Sequence, residues 1–189
     1  MILRKKFYQK NTLKVARNLI GCFLVRKIGK KIIRGVITET EAYIGEKDLA
    51  CHASRGKTPR TEIMYGEAGH AYIYLIYGMY HCLNIVTEKK NFPAAVLIRG
   101  IKPLGTFRAK DSTKRSNLDS IVLDGPGKVC RFFKIDKKLN GCDITKGKKL
   151  WIEKGIKFKE KDIKKSKRIG IDYAGHSRHY LWRLYLPLA

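Results

Sequence analysis

The sequence predicts an α+β fold: a single domain on a mixed, mainly antiparallel β-sheet, with a few helices and a protruding β-hairpin. Three observations carry this reading. The chain has 189 residues, enough for one well-cored domain and short for two. Its strand-like runs follow one another without the regular strand–helix alternation that a doubly wound sheet requires. The Tyr-rich run "AYIYLIYGMYHCLNIV", Ala71 to Val86, alternates on either side of a glycine, as two strands around a tight reversal do.

Taken in order, "NTLKVARNLIG" reads as a short amphipathic helix that Asn11 or Thr12 can cap and Gly21 can end. The apolar run "LIGCFLV" lies behind a basic N-terminus. Arg26 and Lys27 follow it directly and there is no small-residue cleavage site, so it reads as a helix end entering a strand and not as a targeting segment. "CFLVRKI" and "KIIRGVITETEAY" are strand-like, with Gly29-Lys30 as the turn. Residues 45–70 form a long irregular segment, a kind that is usually functional in a compact domain. In the Tyr-rich run the strand period puts Tyr72, Tyr74 and Ile76 on one face and Ile73 and Leu75 on the other. Gly78 supplies the permissive backbone of the reversal, which makes Tyr77-Gly78-Met79 the hairpin tip. "AAVLIRGIKPL" is another strand, with a polar exit at Arg99, and Asp111 to Asp119 is a polar loop. "GPGKVCRFFKI" turns into a short helix. Lys146 to Arg168 holds eleven basic and three acidic residues, and "HYLWRLYLPL" is the last strand.

The charge is the unusual part of the composition. Lys and Arg number 41 against 16 Asp and Glu, a formal +25, while 44% of residues are hydrophobic. That is a folded chain surrounded by a field that attracts polyanions, which makes nucleic acid the expected partner. No apolar run approaches the ~20 residues of a membrane helix, so no membrane association is expected. The five cysteines, Cys22, Cys51, Cys82, Cys130 and Cys142, form no CxxC pair. Their spacing suits neither a disulfide framework nor a zinc knuckle, which predicts a reducing cytoplasm and no metal site.

Three constellations can carry chemistry, and each also has a plain reading. A Tyr and a Met on a projecting hairpin suit a wedge pushed between base pairs; the same pattern fits a tip folded back onto the core. In "ETEAY", Glu39, Glu41 and Tyr43 share one strand face, so an acid and a ring point into the same space. "TETE" on an exposed strand is equally a solvated face. In "ACHASRGKTPR", His52 sits among Arg, Lys and Gly that can hold phosphates, or is a hydrogen-bonding surface residue.

Together and in order, "ETEAY", "HASRGKTPR", "YIYLIYGMYHCLN", "VLIRGIKPL" and "DGPGKVC" resemble the alkyladenine (3-methyladenine) DNA glycosylase family, the small single-domain class. The resemblance runs from about Asn11 to the C-terminal strand. It implies that Glu41 is the catalytic glutamate that activates water, and that Arg99 lies near that water and the target phosphate. It also implies that Tyr43, Tyr74 and His52 sandwich and contact an extruded base, and that Asn84 lines the pocket and rejects guanine by crowding its amino group. Tyr77 would enter the minor groove beside Met79, while Tyr72 and Tyr80 are left to sheet packing. Two departures stand out: Thr61 and Glu62 follow "TPR" where the family often has Asn, and "RFF" follows "GPGKVC" in place of smaller residues.

What the resemblance implies is a monofunctional glycosylase of base excision repair, one domain over residues 1–189. It would need no cofactor and would act as a cytoplasmic monomer, nucleoid-associated in a bacterium, on double-stranded DNA with alkylated or deaminated purines. A base inside a duplex cannot be attacked at C1′, so it must be extruded at a cost of a few kcal/mol. Cationic bases such as 3-methyladenine and 7-methylguanine gain about 0.5–2 kcal/mol from an electron-rich ring sandwich. They leave as neutral molecules, whereas hypoxanthine needs a proton, for which the sequence shows no acid. The alternative is a non-catalytic minor-groove DNA-binding protein, which explains the charge and the wedge but not Glu41 beside Tyr43. A zinc deaminase would need HxE and PCxxC, and both are missing. A glycosylase/lyase would use a lysine amine, and no motif singles out one of the 28.

Overall fold

The computed structural model describes residues 1–104 and 122–187. Its spine is β2 (Lys31–Ile44), fourteen residues rich in the β-branched side chains that suit a pleated surface. On one side β2 pairs across the Gly29-Lys30 turn with β1 (Phe23–Ile28), and β1 pairs with β7 (Leu150–Glu153). On the other side β2 pairs with β5 (Ala94–Leu104), then come β4 (Tyr80–Val86) and β3 (Ala71–Ile76). Three short strands complete the nine-stranded sheet: β6 (Leu123–Asp124) on β5, β9 (Arg183–Tyr185) on β2, and β8 (Lys164–Ser166) on β9. Every pairing among the described residues is antiparallel. Among the described residues three α-helices accompany the sheet, α1 (Lys5–Tyr8), α2 (Thr12–Leu19) and α3 (Pro126–Phe132), which is the α+β arrangement the sequence predicts.

Asn11 takes the cap of α2, its side-chain oxygen accepting from the Leu13 and Lys14 N–H groups. The buried face of α2, Val15, Ala16 and Leu19, packs into one core with Ile33 and Ile37 of β2, Ile98 and Ile101 of β5, and Val129 and Phe133 of the α3 region. Among the described residues no helix is long and apolar enough to cross a membrane.

One irregularity in this sheet places the site. Ile37 faces Ile101, Glu39 faces Gly100, and Thr40 faces Ile98, so Thr38 and Arg99 are extra residues in their strands. Bulges of this kind re-aim side chains. Before the bulge, odd-numbered Ile33 and Ile37 enter the core; after it, even-numbered Thr40 and Ala42 are buried, with the Thr40 hydroxyl donating to the Ala16 carbonyl at 3.0 Å. Glu39, Glu41 and Tyr43 thereby leave the main core on a common side, and Arg99 meets them there.

The Tyr-rich hairpin forms as its sequence requires. Tyr77 (φ 53°) and Gly78 (φ 68°) both adopt left-handed backbone, and the Met79 N–H donates to the Ile76 carbonyl at 3.2 Å. Tyr77 is 81% and Met79 68% exposed, so the tip projects and does not fold back.

β5 spans the whole run read as a strand, Ala94–Leu104, with Arg99 held inside it at the bulge and not at an exit. Two further details differ from the sequence reading. The last strand is only Arg183–Tyr185, since Gly175–His179 winds into a 3₁₀ turn and Trp182 packs on Arg168. The basic run contains β7 and β8, too short and too charged to show a period. Thr61 closes its own loop, its hydroxyl donating to the Gly56 carbonyl at 3.0 Å and accepting from the Thr58 N–H at 2.8 Å. The loop read at Asp111 to Asp119 lies outside the described residues.

Candidate active site

A cavity of about 230 Å³ opens between the bulged face of the sheet, the irregular segment of residues 45–70 and the Ile169–Ile171 turn. Glu41, Tyr43, His52, Tyr74, Asn84 and Arg99 all line it, with Tyr77 at its edge. Met79 does not; it stands outside on the exposed tip. The volume is below the ~300–1,000 Å³ of drug-sized pockets and suits one small planar group. A larger groove of about 1100 Å³ runs along α2 and the Gly155–Phe158 segment. Its one carboxylate, Glu160, is exposed and paired with Arg17, so the smaller cavity is the chemical candidate.

Glu41 is 1% exposed, and every contact holds its carboxylate in place. Oε2 accepts from the Tyr43 hydroxyl at 2.7 Å, Oε1 accepts from the Ile169 N–H at 3.0 Å, and Arg99 Nε lies 3.5 Å from Oε1. Burial pushes the carboxyl pKa up and the Glu39 charge adds to it; the Tyr43 and Ile169 hydrogen bonds and the Arg99 charge pull against that shift without cancelling it. The result is a desolvated, oriented carboxylate more basic than a surface one. The thiol of Cys82, also in the cavity wall, is pushed up by burial to about 11 and stays protonated at neutral pH.

The Tyr43 ring is held from behind by a residue the sequence reading did not single out. Arg168 is fully buried, with its guanidinium 4.7 Å from the Tyr43 ring centre and 5.0 Å from that of Trp182. Its charge is met by Asp48 through two bonds of 2.6 and 2.7 Å, and by the Ala42 and Ser177 carbonyls. This is a buried bidentate pair in which both terminal nitrogens also reach a carbonyl, while Nε has no hydrogen-bond partner among the described residues.

The opposite wall is aromatic. His52 and Tyr74 meet edge to face at 4.5 Å between ring centres, and His52 Nδ1 lies 2.8 Å from the Tyr72 hydroxyl. Tyr72, 2% exposed, is therefore part of the cavity wall and orients His52, a correction to its reading as sheet packing alone. Tyr80 is not in the cavity; Arg131 lies 5.8 Å over its ring. Asn84 is anchored by its side-chain nitrogen, which donates to the Tyr72 carbonyl at 3.3 Å.

Burial, then Arg60 and Arg55, lower the His52 pKa to about 4, so its ring is neutral at neutral pH. An unfolded His takes its proton near 6.5 and the folded one only near 4. Acidification through that window therefore favours the unfolded chain. Stability should fall between these pH values by about 1–2 kcal/mol once partial exposure is allowed for. Melts of wild type and His52→Gln at pH 7 and 4.5 check this: the variant should lack that part of the loss. An identical pH dependence in both proteins would show that His52 does not titrate low.

The signal for Tyr72 was present, since the strand period sets it beside Tyr74. The signal for Arg168 was not: it ends a run of lysines, and only burial separates it from them.

Comparison with known proteins places the chain among relatives. The sequence profile of the family described as methylpurine-DNA glycosylase matches residues 6–188. A protein of Methanocella arvoryzae is 46% identical over 97% of this chain and 92% of its own length. One from Carboxydothermus hydrogenoformans is 44% identical over 98% and 95%, respectively. Both carry the name "Putative 3-methyladenine DNA glycosylase".

Proposed function

The chain belongs to the methylpurine-DNA glycosylase family, and from that premise we propose that it is a monofunctional DNA glycosylase of base excision repair. It turns an alkylated or deaminated purine out of duplex DNA and hydrolyses the N-glycosidic bond, leaving an abasic site. The observation that carries this reading is Glu41, a buried carboxylate in an aromatic cavity that opens beside an exposed Tyr–Met hairpin tip.

Each part of the chemistry has a residue to supply it. The extruded base enters the cavity between Tyr43 and the His52–Tyr74 pair, while Tyr77 fills the space it leaves, with Met79 against the duplex. A cationic alkylpurine gains from the π-faces, and a neutral His52 adds no opposing charge. Asn84, anchored on the Tyr72 carbonyl, lines the cavity as a rigid group that can crowd a guanine amino group. Glu41 takes the proton of a water that adds to C1′ as the base departs, in the manner of an inverting glycosidase. Arg99 sits next to that carboxylate, where it can face the water and a phosphate. A non-catalytic DNA-bending protein would use the tip and the charge, but would leave the desolvated Glu41 without a purpose.

The test is to incubate the protein with duplexes carrying one 3-methyladenine, 7-methylguanine or hypoxanthine each. Free base and an abasic strand are expected. Tight binding with every duplex intact would replace the enzyme with a binding protein.

The wedge role predicts a pattern across substrates. Base–aromatic stacking is worth about 1–3 kcal/mol, so Tyr77→Ser should slow excision of well-paired lesions about 10-fold. Mispaired or weakly stacked lesions should lose much less. Because Tyr77 is 81% exposed, the fold should be unaffected. Equal loss on every substrate in single-turnover assays would remove the wedge role.

A further inference from the structure

Glu39 lies outside the cavity, yet it is 7% exposed and takes part in a closed charge cluster. Both of its oxygens accept from Arg99 Nη1, at 3.0 and 3.1 Å, and Arg183 Nε donates to Oε1. Arg183 reaches it because β9 pairs with β2 at this point, Glu39 opposite Tyr185 and Glu41 opposite Arg183. Room for Glu39 depends on Gly100, where a Cβ would stand 2.7 Å from the Glu39 Cβ. Arg99 thus gives one end of its guanidinium to Glu39, and only its Nε edge approaches Glu41, at 3.5 Å.

We propose that Glu39 is a positioning residue: with Arg183, it holds the Arg99 guanidinium back from a two-pronged pair with Glu41. The inference rests on the reading of Glu41 as the general base. A bidentate Arg–carboxylate pair is the strongest arrangement open to these two groups. It would occupy the oxygens that must receive the water's proton and make them less basic. Glu39 competes for the same guanidinium, and the Arg183 contact orients it. Among the described residues, the other groups facing Glu41 are Tyr43 on its own strand, Tyr74 from β3, Cys82 from β4 and the Ile169 N–H, none of which is a cation.

Titration of the Glu41 carboxyl by ¹³C NMR in the free protein tests this without relying on activity. Glu39→Gln should move the Glu41 midpoint to lower pH, and most of that shift should disappear when Arg99→Gln is present in both proteins, leaving only the part due to the Glu39 charge itself. Loss of a negative charge acting through space alone would instead give the same shift with or without Arg99, and would overturn the proposal. So would an unmoved midpoint. Single-turnover base release by Glu39→Gln should fall about 10-fold, part of the whole general-base contribution, with lesion-DNA affinity unchanged. Should Glu39→Gln fail to fold, Arg183→Gln decides: it frees Glu39 to draw Arg99 further away, so the Glu41 midpoint should rise, again only while Arg99 is present. Absence of base release from the wild type would sink the glycosylase reading and leave the titration result standing.

Discussion

Glu41→Gln should lower single-turnover base release by at least about 10²–10⁴-fold, the usual contribution of a general base. The substitution keeps the shape of the side chain: its carbonyl oxygen can still accept from the Ile169 N–H, 3.0 Å from the carboxylate, while its amide NH2 can donate to the Tyr43 hydroxyl oxygen, 2.7 Å away. What it removes is the basic oxygen and a negative charge close to where DNA phosphates must come. Lesion-DNA affinity should therefore stay or tighten while hydrolysis stops. Near-wild-type cleavage with saturating enzyme would refute the assignment, and an imine trapped by borohydride would replace the water mechanism with a lysine one. Glu39, on the same strand face, does not serve as an inert control, because it holds Arg99.

Arg168→Met should be the most damaging change to stability outside the hydrophobic core. It leaves Asp48, itself 2% exposed, as a buried carboxylate with its cation gone. Breaking a buried pair in this way typically costs about 3–5 kcal/mol. At about 2–4 °C per kcal/mol for a chain of this size, the melting temperature should drop by about 6–20 °C. Adding Asp48→Asn should recover part of the loss, because a neutral amide is cheaper to bury than an orphaned charge. Base release should fall in the folded fraction as well, since the Tyr43 ring loses the guanidinium stacked behind it. A variant that melts within about 2 °C of wild type would show that the pair contributes no net stability.

Much of the candidate site was legible because its signals are local. Glu41 and Tyr43 are two residues apart on a strand, so the period of two alone sends both to one side, and the hydrogen bond between them is the consequence. Tyr77 owes its exposure to Gly78, since a left-handed reversal leaves the tip with nothing to pack on. Asn11 at the start of α2 and Gly29 between β1 and β2 were equally readable, each being a cap or turn whose chemistry acts over a few residues.

The sequence by itself determined the strand order around the hairpin, the face that carries the acid and the ring, and the excess of positive charge. Only the tertiary structure decided which charges are neutralised and which side chains are held. Arg183 joins Glu39 across 144 residues of chain, and Arg168 joins Asp48 across 120. The bulge that brings Arg99 to Glu41 exists only where β2 and β5 meet. Burial is a property of the segments that happen to pack together. A buried arginine and a solvated one share the same letter and the same neighbours in sequence, and they differ only in what the fold lays over them.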